Sequence, residues 1–296
     1  MTSPFDLAAD SAYRAWRDAK LAAYPKHIEE LVVPVRDPCA LDDRERASLA
    51  SRCQRANMAI YRAPAENAHD KALPHRLASQ LGLNRIEGNY LADEDGLSSI
   101  TPSDSSGVRG EYIPYTHKPI NWHTDGYYNA PERRILGMLL HCAQDAVSGG
   151  ENALLDHEVA YIQLRDANAD FIAALMATDA MTIPARMDED GVARPAQSGP
   201  VFAVDAHGGF LTMRYTARTR SIVWKNDAVT QAAVRTLTQI LNDSEYILHA
   251  RLEPGMGLVC NNVLHTRSAF VDRPDRRRLL YRGRYYDRIA ISSRAA

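Results

Sequence analysis

Strand-like segments dominate residues 110–155 and return from 246 to 286, while residues 157–178 and 227–242 between them are helical in pattern. Strands on both sides of inserted helices describe an α+β chain. Tyr112–Tyr115 and Ile135–His141 read as strands in the first block. In the second, Tyr246–Leu252 and Leu258–Cys260 flank Glu253-Pro-Gly-Met-Gly257, whose Pro and two Gly supply turn dihedrals. Upstream, residues 11–24 place Ala12, Trp16, Ala19 and Ala23 at helix spacing, and residues 30–35 form a strand that Pro34 confines to an edge or its end. Asp42 and Asp43 cap a helix running to about Asn57, Met58–Tyr61 is a strand, and 75–82 is helical. Residues 227–242 carry Ala233, Leu237, Ile240 and Leu241 on one face. The polar stretches 90–108 and 184–200 read as loops.

With 296 residues, 45% of them apolar, the chain has the size and composition of a globular protein, and length alone allows one large domain or two modest ones. A net charge of −2 gives no general attraction to nucleic acid or anionic membrane. Seven Arg against two Asp between Arg273 and Arg288 suit small carboxylates in a pocket better than a phosphate-tracking surface. Cys39, Cys53, Cys142 and Cys260 are scattered without Cys-x-x-Cys spacing, which argues against a zinc knuckle or redox pair. No signal peptide and no apolar run of membrane-spanning length is evident, so a cytoplasmic setting is expected. There is no internal repeat or low-complexity tract.

The chemistry concentrates in two places. His123-Thr124-Asp125 lies in Asn121-Trp-His-Thr-Asp-Gly-Tyr-Tyr128, and His265 closes Cys260-Asn-Asn-Val-Leu-His265. In an extended segment residues i and i+2 point to one side, so His-x-Asp aims an imidazole and a carboxylate at one point. A third ligand then comes from a separate strand, and His265 suits that part. Two imidazoles and one carboxylate make a facial triad that leaves open positions on Fe(II). The same three ligands would also serve a zinc-dependent hydrolase, and a non-catalytic small-ligand-binding module is a further alternative. His117, His141, His157, His207 and His249 are unpaired in sequence.

Residues 121–152 and 253–284 together resemble the taurine dioxygenase superfamily, which includes gamma-butyrobetaine hydroxylase and clavaminate synthase. The resemblance rests on Trp-His-Thr-Asp, Ser148-Gly-Gly-Glu-Asn152, the Pro-Gly-x-Gly leading to His265, and Arg277-Arg278-Leu279-Leu280. It implies a double-stranded β-helix, or jelly roll, with buttressing helices at the N-terminus and at 227–242. It further implies a single oxygenase domain over 1–296, in which residues 1–80 extend a core at 81–290. Fe(II) would be held by His123, Asp125 and His265, with 2-oxoglutarate as cosubstrate and O₂ as oxidant. Hydroxylation of a small anionic or zwitterionic metabolite would release succinate and CO₂. An Arg a dozen or so residues beyond the distal His grips 2-oxoglutarate, because its planar fork matches a carboxylate. That is Arg278, with Arg277 the one-residue-off rival, since alternation lets only one of them face the pocket. Asn152 stands where the family has a threonine or another small polar residue touching the cosubstrate. Arg282 matches in position the arginine that grips the sulfonate in taurine dioxygenase. Tyr127, Tyr128 and Arg214 are the remaining substrate-side candidates, and Thr216 replaces the Asn that would follow Tyr215 in the gamma-butyrobetaine hydroxylase pattern. The partners expected are a small molecule and, as in relatives, a second copy of the chain, with no nucleic acid and no membrane.

Overall fold

The computed structural model describes residues 2–88, 92–103, 110, 112–188, 191–218 and 222–289. The chain divides into two compact units, each assembled from three separate stretches. The first comprises Met1–Tyr24, Asn121–Arg134 and Leu155–Ile247; the second comprises Pro25–Ile120, Ile135–Leu154 and Leu248–Ala296.

The second unit is built on a six-stranded sheet. Its order is Val32–Pro34, Met58–Arg62, Met256–Cys260, Gly137–Gln144, Leu279–Tyr285 and Ser98–Ile100. The Val32–Pro34 strand lies at the edge, parallel to Met58–Arg62, where Pro34 has no ladder to interrupt. Every other pairing in the sheet is antiparallel. The strand Met58–Arg62 is thus integral to the sheet, although it falls within the first 80 residues. Between Leu279 and Leu280 the register slips, because the facing strand carries an extra residue at Ala143.

Two helices cover one face of this sheet. Call the first helix α1 (Asp10–Ala23), the next α2 (Asp43–Ala56) and the third α3 (Ala72–Gln80). α2 begins at a reciprocal cap: Asp42 accepts from the Glu45 N–H, and Glu45 accepts from the Asp42 N–H. It ends at Asn57, which takes the left-handed conformation with φ 55°. Leu49 and Cys53 of α2 with Leu77 and Ala78 of α3 pack on Ala59, Tyr61, Leu139, Val259 and Tyr285 of the sheet. The strands Asn152–Leu155, Leu248–Ala250 and Leu264–Arg267 belong to a second sheet. The chain crosses from one sheet to the other between Cys260 and Leu264. Asn262 turns that corner with φ 52°, and Asn261 is pinned to Asn57 through both backbone and side chain.

The first unit is mainly helical. It holds α1, α4 (His157–Ala167), α5 (Ala169–Leu175) and α6 (Ala228–Asp243). α6 packs on α4 and α5, and α1 packs on α4. Of the expected buttresses, α2 and α3 from the N-terminal 80 residues line the sheet, whereas α1 and the helix at 227–242 pack on other helices. The single helix expected over 157–178 is broken at Asn168, which caps α5 with its own side chain. Lys20 of α1 reaches the start of α4, with Nζ 2.7 Å from Asp156 and 2.5 Å from Glu158, all three residues buried.

Two local expectations are overturned. Ile113–Tyr115 forms a 3₁₀ turn rather than a strand, because Pro114 removes a ladder donor and fits the first turn of a helix. The polar stretch 184–200 contains the short strands Arg186–Asp188, Gly191–Arg194 and Gln197–Gly199 instead of an open loop. Parts of 90–108 lie outside the described residues.

Candidate active site

Within the first unit, His123 ends the strand Ile120–His123 and is bridged in antiparallel fashion to Thr216. The next residue is locked on both sides: the Thr124 N–H donates to Tyr215 O at 3.0 Å, and the Tyr215 N–H donates to Thr124 Oγ1 at 3.1 Å. Thr124 and Asp125 are buried. Gly126, at φ 67°, then turns the chain so that the Asn129 N–H meets the Gly126 carbonyl. These bonds fix the backbone that carries His123 and Asp125.

Within the second unit, His265 is buried on the strand Leu264–Arg267, one step past the corner made by Asn261 and Asn262. It lies inside a strand of the second sheet, whereas the Met256–Cys260 strand that precedes it belongs to the six-stranded sheet. Its Nδ1 is 3.0 Å from Val263 O, and Nδ1 of His123 is 2.9 Å from Asn121 O. Both imidazoles thus hold Nδ1 on the carbonyl of residue i−2. That tautomer has its N–H at Nδ1 and its lone pair at Nε2, the arrangement by which a carbonyl orients a metal-ligating His. Two such imidazoles and a buried carboxylate are a fitting donor set for Fe(II). Among the described residues no group of three or more His, Cys, Asp or Glu is gathered as a metal site. His123 and Asp125 belong to one unit and His265 to the other.

Arg278 and Arg277 are clearly distinguished. Arg277 is exposed and donates to Pro102 O at 2.6 Å. Arg278 is buried, and burial pushes its guanidinium down to about 10. Among the described residues it has neither a hydrogen-bond acceptor nor a carboxylate within ion-pair distance. Its neighbours are the Phe270 ring, 5.0 Å from the guanidinium carbon, and Gly150. A Cβ on Gly150 would stand 3.1 Å from Arg278 Nε, and φ is 75° there, so glycine meets both a steric and a conformational need. Gly149 is more constrained, since a Cβ would lie 2.1 Å from Ala269 O. The Gly-Gly step therefore lets the chain approach the Phe270 strand and leaves room for the arginine.

Phe270 also faces Arg267, whose guanidinium lies 4.9 Å from the ring centre. Sequence reasoning passed over Arg267. It is buried, held down to about 9 by desolvation and by the charge of Arg278, and donates to the carbonyls of Ile113, Pro114, Thr116 and Lys118. It therefore pins the segment that runs into the His123 strand. The Asn-Asn pair after Cys260 carried a usable signal for the corner, since Asn tolerates left-handed backbone; Arg267, in a strand-like run, carried none.

The other candidates fall as follows. Asn152 is buried and donates to Thr266 O at 2.6 Å, so it steadies the residue next to His265. Arg282 is half-buried, in register with Leu140 and Ser98. Beyond it Arg284 pairs with Glu87 at 2.5 Å, both nearly fully buried. Tyr127 and Tyr128 are half-buried and meet edge to face with centroids 5.1 Å apart. Burial pushes the Tyr127 phenol up, and Thr216 hydrogen-bonds to it. Arg214 gives Nε to Tyr127 O and Nη2 to Met181 O and Gln197 O. His141, read as unpaired, is stacked between Tyr61 and Tyr281, with Nδ1 2.7 Å from the Tyr61 hydroxyl and Nε2 2.9 Å from Ala68 O.

Comparison with known proteins gives the class to which donor residues of this kind belong. Residues 20–283 match the family described as "Taurine catabolism dioxygenase TauD, TfdA family", and the chain belongs to that family. That family comprises Fe(II)- and 2-oxoglutarate-dependent oxygenases, which use O₂ as oxidant. A uridine-5'-phosphate dioxygenase from Amycolatopsis sp. is 33% identical over 174 residues, which is 55% of this chain and 60% of that protein. The chain thus aligns to less than two thirds of that relative's length. Two solved structures share the fold. An asparagine oxygenase with Fe(II), 2S,3S-3-hydroxyasparagine and succinate has a TM-score of 0.58 at 16% identity, covering 82% of this chain and 79% of its own. A taurine dioxygenase from Burkholderia xenovorans has 0.55 at 17%, covering 86% and 87%. No described helix is long and apolar enough to cross a membrane.

Proposed function

We propose that the chain oxidises a small anionic metabolite, with phosphorylated nucleosides the first class to test, and that 2-oxoglutarate is converted to succinate and CO₂ in the same turnover. One atom of O₂ enters the product and the other enters succinate. The observation that carries this reading is Arg278, a buried cation beside Gly150 with no acid in ion-pair reach among the described residues. A carboxylate delivered by the cosubstrate would complete it with a bidentate pair. His123, Asp125 and His265 would hold Fe(II), which supplies the oxygen activation when bound. The residues of the chain do the positioning. Asn121 O and Val263 O fix the two imidazoles, Thr124 fixes the backbone beside Asp125, and Asn152 and Arg267 steady the His265 strand.

The likeness to a uridine-5'-phosphate dioxygenase supports a phosphorylated substrate. Arg282, on the same strand as the buried Arg284–Glu87 pair, is a second anion-binding candidate. The family match runs through both units, which supports a single oxygenase domain, and the six- and four-stranded sheets support the inferred jelly roll. Four free thiols, three of them buried, support the reducing cytoplasm. With the family established, the zinc hydrolase and the non-catalytic binding module fall away.

The test is succinate release from 2-oxoglutarate under air with Fe(II) and ascorbate, for wild type and His123→Ala. Uridine 5'-phosphate, uridine, small carboxylates and sulfonates are added one at a time. Succinate that requires iron, rises with an anionic compound and vanishes in the variant is the expected result. An enzyme that binds neither Fe(II) nor 2-oxoglutarate anaerobically would refute it.

A further inference from the structure

The first unit gathers four arginines around the Tyr127–Tyr128 turn. Arg214 Nε donates to Tyr127 O at 2.8 Å, while Arg194 Nη1 approaches Tyr128 O at 3.5 Å with its guanidinium 5.8 Å from the Tyr128 ring centre. Arg134 Nη1 donates at 3.0 Å to Thr212 Oγ1, two residues before Arg214 on the same extended run. The charge of Arg218, which is exposed, acts on the Tyr127 phenol. Tyr127 in turn hydrogen-bonds to Thr216, the residue bridged to His123.

Among the described residues none of these four arginines makes an ion pair. Asp10, Asp18, Asp156, Glu158, Asp166 and Asp179 pair instead with Arg14, Arg17, Lys20, His157 and Lys225. Arg134, Arg194 and Arg214 instead spend donors on uncharged oxygens, which orient a guanidinium without neutralising it. Burial comes first, and the charges of Arg134 and Arg194 second, in holding Arg214 down to about 10. One carboxylate, Asp205, acts on Arg134, and its Oδ1 already accepts from the His207 and Gly208 N–H groups. A guanidinium has five donors. Arg214 commits Nε and Nη2 to carbonyls and keeps Nη1, and a Cβ on Gly199 would come within 2.9 Å of that nitrogen. Held, mutually repelling cations of this kind are costly alone and are offset by an anion. A carboxylate is satisfied by one bidentate arginine, whereas a phosphate monoester brings about two charges and three strong acceptor oxygens.

We propose that Arg134, Arg194 and Arg214 form a phosphate subsite for a phosphomonoester substrate, with Arg218 adding charge beside it. This deepens the reading of the chain as an oxygenase of phosphorylated metabolites and rests on it. The carbonyls of Tyr127 and Tyr128 set the arginines in place. The substrate phosphate is thereby recognised from the same segment that bears His123 and Asp125.

The test uses the full chain with Fe(II) and 2-oxoglutarate, anaerobically, and inorganic phosphate as the probe against chloride at matched ionic strength. Phosphate is expected to raise the Tm of wild type and to have no such effect on R134Q/R194Q, whose amides retain donors but no charge. R134K/R194K, which keeps the charge, should retain most of the effect. With uridine 5'-phosphate, KM should rise about 100-fold in R134Q/R194Q, roughly tenfold for each charge-assisted contact, while KM for 2-oxoglutarate holds. Phosphate that protects wild type and R134Q/R194Q equally, or protects neither, overturns the subsite. The visible charge-transfer band of the Fe(II)–2-oxoglutarate complex reports separately. Its absence from wild type would sink the oxygenase reading, and phosphate protection would still decide the subsite.

Discussion

Replacing Arg278 by Met should move apo stability and cosubstrate affinity in opposite directions. The side chains are similar in length and Met is neutral. Burial lowers the Arg278 pKa from 12.5 to about 10, and at about 1.4 kcal/mol per unit the ionised group bears roughly 3 kcal/mol of desolvation in the empty protein. Met escapes that cost and keeps contact with Phe270, but it loses the weak attraction of Asp272 and the favourable cation–π contact. A net gain of about 1–2 kcal/mol follows, which in a chain of this size raises apo Tm by about 2–4 °C. The cosubstrate carboxylate loses a bidentate, charge-assisted pair. That costs about 3 kcal/mol, on the order of 100-fold in the Kd for 2-oxoglutarate. Differential scanning fluorimetry of the apo protein and anaerobic titration with Fe(II) and 2-oxoglutarate read the two effects. The reasoning is refuted if R278M lowers apo Tm while affinity stays within twofold. A parallel R277M variant, which loses only the exposed contact to Pro102 O, should leave both near wild type.

Three further outcomes are expected. Fe(II) added anaerobically should raise the Tm of wild type by the linkage of binding to folding, and neither Asp125→Ala nor His265→Ala should respond; chelator titration followed by fluorimetry checks this. Lys20→Met strands Asp156 and Glu158 in the interior and should cost about 3–5 kcal/mol in urea unfolding at pH 7. Burial lowers the pKa of His141, so its neutral form is the folded one. Its contribution is present above the unfolded value of about 6.5 and is lost as pH falls toward the folded value. The stability difference between wild type and His141→Gln should therefore shrink between pH 7.5 and pH 5.5, and a difference that grows on acidification would contradict a neutral His141 in the fold.

The elements legible in the sequence are those governed by local chemistry. The Asp42 cap, the amphipathic face of α6 and the Pro-Gly turn before Met256 all follow from side chains a few positions apart. Arg278 was legible only together with Arg277, because adjacent arginines look alike until one is buried and the other meets Pro102. What stayed hidden depends on distant partners. Nothing in Tyr112–Tyr115 shows that Arg267 will draw that turn's carbonyls together. Arg214 reads as a substrate ligand in a linear motif, but only the fold shows that three of its donors close on carbonyls of Tyr127, Met181 and Gln197 and that Nη1 is kept. The buried partners of His141 lie far from it in the chain, so an unpaired histidine and a stacked one have the same sequence.

The order of strands in the large sheet has a consequence for biosynthesis. The strand Leu279–Tyr285 fits between Gly137–Gln144 and Ser98–Ile100, which leave the ribosome much earlier. Until it arrives, both earlier strands present open backbone edges, the condition that invites pairing with other chains. A nascent chain halted near residue 275 should therefore need a holding chaperone and aggregate without one. Completion of this sheet waits for a strand translated long after both of its neighbours.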